Sequence, residues 1–401
     1  MTYIFKEDIK KEEYDEFLTK HKMCNLLQSY DWANIKDNWQ HMHVGVYDSD
    51  KLIAVALILI KQLPLNFTMF YIPKGPVMDY QNLELLKYFF DNLKKIAKKR
   101  HCLFIKLDPA ILKNTYKIEN QNTNISDEAK EAIFNLKQAG CHHLGFTMNI
   151  DETIQPRFHA VVEVDQDYEE NLPKHTKKLM NVAKKKNVLI ETTGIDGIEE
   201  FSRVINKTEN RKGISLRNKE YFAKLMNTYK DDAVIILAKL NLKDSYNTAL
   251  TKLKDVRSEI ESCPSHAVKK LRDLKEKEVS YSSEVDLFKK YLEIDGDTVT
   301  IAGALTVCYG KTSEMLYAGM DETYKKFMAQ YYIYVETMKW INEHGCTMCN
   351  LGGIEGSLND GLTKFKANFN PIIYEYIGEF EYPVSHLYRL AKIAYNWRKK
   401  H

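Results

Sequence analysis

The sequence predicts an α/β fold made of two similarly built halves, with a helical hairpin inserted into the second. Three observations carry this. Apolar spacing switches between the helical and the strand period along most of the 401 residues. One order of elements occurs twice. One stretch between two predicted strands keeps a heptad spacing instead. Chain length alone asks for more than one hydrophobic core. With 44% hydrophobic and 28% charged residues, and only 17 Gly and 9 Pro, the composition describes a packed globular chain and excludes disorder and collagen.

In the first half, periodicity predicts helices over 11–20 and 29–38, then strands over 43–48, 52–61 and 67–72. A long amphipathic helix over 81–100, a strand over 102–109 and a helix over 127–139 follow. The second half repeats that order: helices over 174–186, 198–209 and 218–229, and strands over 233–240, 298–308 and 313–318. A long helix over 322–344, a strand over 346–353 and a helix over 357–367 complete it. The longest apolar run, 52–60, lies between Lys51 and Lys61 and reaches less than half the length of a membrane-spanning helix, so it reads as a buried strand. The N-terminus lacks an apolar segment followed by a small-residue cleavage site, which points to the cytoplasm.

The insertion follows from spacing. Leu242, Tyr246, Ala249, Leu253, Val256, Ile260 and Cys263 step alternately by four and three, and so do Ala267, Leu271, Leu274, Glu278, Tyr281, Val285, Phe288 and Leu292. Between them Pro264 ends a helix, so the two seams predict an antiparallel coiled-coil hairpin. The resulting boundaries are 1–150 for the first domain, 151–241 and 293–383 for the second, 242–292 for the hairpin and 384–401 for a C-terminal helix.

Seven scattered cysteines form an odd set that suits reduced thiols. Cys346 and Cys349 make one CxxC, but no second pair follows, so buried strand thiols are the reading and no metal or cofactor is expected. A net charge of +3 is too small to indicate nucleic acid by itself, and no DNA partner is expected. Local clusters stand out instead. Residues 174–187 hold six lysines and no acid, a plausible phosphate-facing helix, whereas KKIAKKR at 94–100 suits the dipole at a helix C-terminus. No GxSxG, HExxH or GxxxxGK[ST] occurs. The loop GGIEGSLNDG at 352–361 lies between a strand and a helix, where backbone amides can meet an anion.

Several segments resemble one family. LLQSYDWANIKDNWQH (26–41), MFYIPKGPVMD (69–79), FIKLDP (104–109), TIQPRFHA (153–160), KTENRKGISLRNKEYF (207–222), MLYAGMD (315–321), LGGIEGSLNDGLTKFKANFNP (351–371) and EYIGEF (375–380) are similar, in order and spacing, to the FemABX aminoacyltransferases, nearest the MurM/MurN branch. The resemblance implies two acetyltransferase-like (GNAT) domains with a coiled-coil arm. It implies transfer of an amino acid, serine or alanine, from aminoacyl-tRNA to the stem-peptide lysine of lipid II. It also implies peripheral contact with the inner face of the membrane.

Such chemistry needs no covalent nucleophile. The ester on tRNA is already activated, so the enzyme must align it with an amine, remove a proton from an ammonium of pKa about 10.4, and stabilise an oxyanion. By resemblance, Lys36 and Arg211 hold the anionic part of the acceptor, and Trp39, one predicted helical turn from Lys36, shares its face. Arg217, in the same segment as Arg211, belongs with them. Lys366, preceded by Phe365, matches the family lysine at the transfer centre, and Asp108 ends a strand where a carboxylate can accept the amine's proton or simply cap a turn. Two other readings remain open at this point: an acyl-CoA-dependent GNAT enzyme, against which stands the lack of a pyrophosphate loop after a strand, and a non-catalytic binder of RNA or protein.

Overall fold

The computed structural model describes residues 2–213, 216–390, 392 and 393. Its first sheet grows from the predicted apolar run: Gln40–Asp48 and Lys51–Gln62 pair antiparallel, and Thr68–Ile72 adds to the second of them. The helix Leu83–Lys99 then crosses over so that Cys102–Leu107 lies parallel to Thr68–Ile72. A parallel pair demands such a crossover. Asn82 starts this helix by accepting from the Leu85 amide at 3.0 Å. Leu85, Leu86, Phe89, Phe90, Leu93 and Ala97 form the buried stripe that docks it on the sheet. Truncating Phe89 or Phe90 to Ala would cost about 3–5 kcal/mol.

The second sheet repeats the plan. Ala233–Asn241, Thr298–Tyr309 and Thr312–Met320 run antiparallel, the helix Ala329–Glu343 crosses over, and Met348–Ile354 lies parallel to Thr312–Met320. The predicted duplication is thus present as architecture. One apolar cluster lies in each half, and a third, with Leu57, Tyr71 and Phe104 against Phe201, Phe222 and Leu305, joins them.

Some expectations need correction. The sheets cross the sequence boundaries: Leu112–Lys117 forms the edge of the second sheet, while Phe380–Pro383 pairs with Cys102–Leu107 in the first. Each sheet borrows a strand from beyond its predicted range, which single-segment periodicity cannot reveal. The helix expected over 29–38 shrinks to Trp32–Ile35, preceded by the short turn Leu26–Gln28, because Asn25 caps that turn and Ser29 is extended. The helix expected over 322–344 starts at Ala329, since Met328 is left-handed at φ 55°. Of the helix expected over 384–401, residues 384–387 are not helical and 388–390, 392 and 393 are, while 391 and 394–401 lie outside the described residues.

The hairpin forms as two helices, Leu242–Glu261 and Val268–Asp295. Leu253, Val256 and Leu274 make its own small core, and Arg257 pairs with Glu278 at 2.8 Å. At its base Ala249, Phe288 and Tyr291 join the core of the second half. Among the described residues no helix is long and apolar enough to cross a membrane.

Candidate active site

The second parallel pair opens early. Thr312, Ser313 and Glu314 pair with Met348, Cys349 and Asn350, and the strands then separate. On the other side of Met348–Ile354, the register with Phe158–Glu163 slips between Asn350 and Gly353, a bulge in which Gly352 is left-handed at φ 88°. A Cβ on Gly353 would sit 2.3 Å from Pro156, so this close approach requires glycine.

Lys366 is aimed into that bulge. Asp360 caps the short helix Gly361–Ala367 by accepting from Leu362 and Thr363, and Lys366 in the last turn is only 4% exposed. Its Nζ donates to the Gly353 carbonyl at 2.9 Å. An exposed amphipathic-helix lysine is therefore not what the fold makes of it.

Asn350 organises the same loop. Its Oδ1 accepts from Gly352 N at 2.9 Å, and its amide donates to His159 Nδ1 at 2.8 Å and to Glu314. His159 Nε2 donates to the Pro156 carbonyl at 3.0 Å, which fixes the tautomer. Burial pushes the His159 imidazole down to about 3, aided by the charges of Lys74 and Lys366, so it is neutral.

Asp108 follows Cys102–Leu107, 3% exposed, and accepts from Tyr71 Oη and Lys74 N, each at 3.0 Å. Lys74 Nζ lies 3.5 Å from Asp108 Oδ2 and 4.1 Å from the centre of the Tyr376 ring. Burial raises the Asp108 carboxyl to about 6, with Lys74 opposing the rise. Lys74, His159, Asn350 and Glu314 were not singled out from sequence. Lys74 and His159 lie in the similar segments 69–79 and 153–160, and that was the only signal they offered.

Lys36 and Trp39 do not share a helix face as expected, because Lys36 ends the short helix and Trp39 N donates back to its carbonyl at 2.9 Å. Trp39 packs edge-on against Tyr71, 6.3 Å between ring centres, and so touches the residue that holds Asp108. Lys36 Nζ lies 5.5 Å from the Trp32 ring and 5.6 Å from the Tyr221 ring. Burial, together with the neighbouring Arg217 charge, lowers its pKa to about 8. Arg217 stacks 5.1 Å from the Tyr221 ring and bonds to the Tyr317 hydroxyl. Among the described residues neither cation has a carboxylate partner. Arg211 differs: it meets Glu322 at 3.4 Å on the surface.

Phe365 packs against Tyr331 and Tyr334, 5.6 and 5.2 Å between ring centres. It lines a cavity of about 420 Å³ with Met320, Gln330, Tyr331 and the two lysines Lys325 and Lys326. Along the basic helix Lys174–Lys185, Lys184 pairs with Glu169 at 3.2 Å, while just beyond it Lys186 donates to the Lys326 carbonyl at 2.8 Å. Among the described residues no group of three or more His, Cys, Asp or Glu is arranged to hold a metal ion. The CxxC thiols Cys346 and Cys349 are buried and free.

Residues 9–396 match the FemAB family. Lipid II:glycine glycyltransferases of Staphylococcus epidermidis and Staphylococcus aureus are 27% and 28% identical, with 96% of this chain and 95% of each relative covered. The crystal structure of FemX superposes with a TM-score of 0.75 at 25% identity, covering 97% of this chain and 99% of that one. A tandem GNAT protein from the clavulanic acid biosynthesis pathway shares the fold, with a TM-score of 0.51 at 6% identity over 96% of this chain and 99% of that one. The chain belongs to the FemAB family.

Proposed function

We propose that this FemAB-family aminoacyltransferase moves a small amino acid from aminoacyl-tRNA to the stem-peptide lysine amine of lipid II. The observation that carries the reading is the buried Lys366 ammonium at the opening between two parallel strands, bonded to a carbonyl of a glycine bulge. The acceptor half is supported by Lys36 and Arg217, cations with no acidic partner among the described residues, beside Trp32 and Tyr221, a setting for a diphosphate. Arg211 joins them on releasing Glu322. Trp39 holds Tyr71 and the acceptor mouth in place. The donor half is supported by the cavity at Phe365, whose aromatic wall and two lysines suit a nucleotide 3′ end.

In the reaction the amine attacks the ester carbonyl, and the buried Lys366 ammonium opposes charge developing on that oxygen. Asp108, paired with Lys74, fixes the floor between the two halves. The relatives are named for glycine and the resemblance implies serine or alanine, so the amino acid moved is one of these three small ones. Lipid II carries its headgroup on a lipid, so in this reading the enzyme meets it at the cytoplasmic face by peripheral, salt-sensitive contact.

The test is incubation of the purified protein with lipid II and tRNA charged with glycine, serine or alanine, with acyl-CoA as a parallel donor. Product from charged tRNA alone is the expected result. Product from acyl-CoA alone, or none, overturns the reading.

A further inference from the structure

Glu314 is a carboxylate near the transfer centre that the mechanism above does not use. It is the last paired residue before the second parallel pair opens, opposite Asn350. Half-buried, it lines a cavity of about 610 Å³ where the second sheet meets residues 19–25 of the first half. The aromatic side chains Tyr374 and Tyr376 line the same cavity, and Lys20, Lys22 and Lys311 also border it. Lys20 and Lys22 pair with Glu16 and Glu128 in solvent, whereas Lys311 has no carboxylate partner among the described residues.

We infer that this cavity receives the amine-bearing peptide of the acceptor and that Glu314 takes the proton the amine gives up on attack. The inference rests on the transfer reaction proposed above. Its geometry has three parts. First, Glu314 faces an open cavity, whereas Asp108 is sealed by Tyr71 and Lys74. Second, the loop 350–353 touches both partners: Asn350 donates to Glu314, and Gly353 accepts from Lys366. Proton acceptor and oxyanion-opposing cation thus flank one stretch of backbone. Third, a carboxylate beside aromatic rings suits an ammonium, and the bordering lysines suit the far carboxylate of a peptide. Tyr317, which meets Arg217, lies three residues along the same strand, about 10 Å at strand rise, so phosphate and peptide ends of one acceptor reach both places.

The step balances. The acceptor ammonium first loses one proton to solvent. The amine lone pair then forms the N–C bond, the carbonyl π pair moves to oxygen, and an N–H proton passes to Glu314. On collapse the C–O bond to the ribose breaks, and the ribose oxygen recovers that proton, so Glu314 is regenerated. Burial lifts the Glu314 carboxyl to about 7, while the amides of Asn350 and Asn25 and the charge of Lys74 pull it down. Tyr376 and Cys349 also face it, and Lys311 and His21 line the same cavity. A carboxylate tuned this way is a stronger base than an exposed one and is still mostly ionised above neutrality.

The test uses the full chain with lipid II and charged tRNA, comparing wild type with Glu314→Gln, an isosteric change that keeps an acceptor for Asn350. We expect kcat to fall about 100-fold with both KM values within about threefold, and the rise of wild-type kcat/KM through about pH 7 to vanish in the variant. Ala110→Trp, which fills the cavity, should raise KM for lipid II about tenfold and leave KM for tRNA unchanged. A Gln variant with wild-type kcat, or one that keeps the pH limb, overturns the role of Glu314. An unchanged lipid II KM in Ala110→Trp overturns the cavity assignment. If wild type transfers nothing from charged tRNA, the functional reading itself falls, a result separable from either of these.

Discussion

The two parallel strand pairs are the same device put to different ends. In the first half, Phe70, Tyr71 and Ile72 pair with Ile105, Lys106 and Leu107 up to the end of both strands, and the Lys74–Asp108 ion pair closes what lies beyond. In the second half, pairing stops at Glu314 and Asn350, and a glycine bulge with Lys366 occupies the gap. One copy is sealed by charge and the other held open by backbone. Duplication supplies a closed half packed against the open one through the cluster shared by Tyr71, Phe104, Phe222 and Leu305.

The contrast is broken most severely at the seal. Lys74→Met leaves Asp108 buried without its counter-charge, and should cost about 3–5 kcal/mol in denaturant unfolding. The double variant Lys74→Met/Asp108→Leu should recover much of that loss, because no charge is then stranded. Asp108 also gives a pH signature. Its carboxyl is raised to about 6 in the folded chain, so the folded state binds the proton more tightly than the unfolded one. Stability therefore falls as pH rises from about 4 to about 6 and is level above. Asp108→Asn should flatten that slope, and an unaltered slope would remove Asp108 from this account.

At the open pair the effect should be kinetic. Lys366→Met is expected to lower kcat by about 10²–10³ with smaller changes in either KM, and Lys366→Arg to restore only part, since a planar fork does not replace a compact ammonium. A Met variant that keeps kcat but binds aminoacyl-tRNA poorly would move Lys366 from chemistry to donor binding.

What could be read in advance follows the same divide. Strands such as Lys51–Gln62 and the stripe of Leu83–Lys99 announce themselves because burial on a face imposes a period on the sequence. The exchange of Leu112–Lys117 and Phe380–Pro383 between sheets leaves no period, since pairing partners lie far apart along the chain. Lys366 and Lys36 were found through resemblance alone. Lys74, Asn350 and Glu314 owe their character to burial among residues from distant segments: Lys74 lies beside Asp108 and Tyr376, and Glu314 beside Asn25 and Asn350. No local pattern encodes that a lysine or glutamate will be inside.

The acceptor mouth gives a smaller effect. Lys36→Ala or Arg217→Ala should each weaken lipid II binding by roughly 1.5–3 kcal/mol, the worth of a hydrogen bond to a charged group. Arg211→Ala should weaken it less, because Arg211 must first leave Glu322. The Lys36 ammonium is pushed down to about 8, so lipid II affinity should fall as pH rises through about 8. Lys36→Arg should remove that fall, arginine staying charged. Affinity that is flat across this range in wild type would detach Lys36 from anion binding.

The smallest effect is expected farthest from both strand pairs, in the outer hairpin. Replacing residues 250–284 with a short Gly/Ser linker spares Leu242, Ala249, Phe288 and Tyr291, which belong to the body's core. It removes Leu253, Val256 and Leu274, whose contacts form a separate cluster within the arm. Closing the shortened loop costs little, because that entropy grows only slowly with length. Body stability should therefore change by less than about 1 kcal/mol in thermal unfolding, and KM for lipid II should stay at its wild-type value. Loss of cooperative unfolding would make the arm part of the fold rather than an appendage. A rise confined to KM for aminoacyl-tRNA would instead assign the arm to the donor, and set the second half apart from the first by its reach as well as by its open strands.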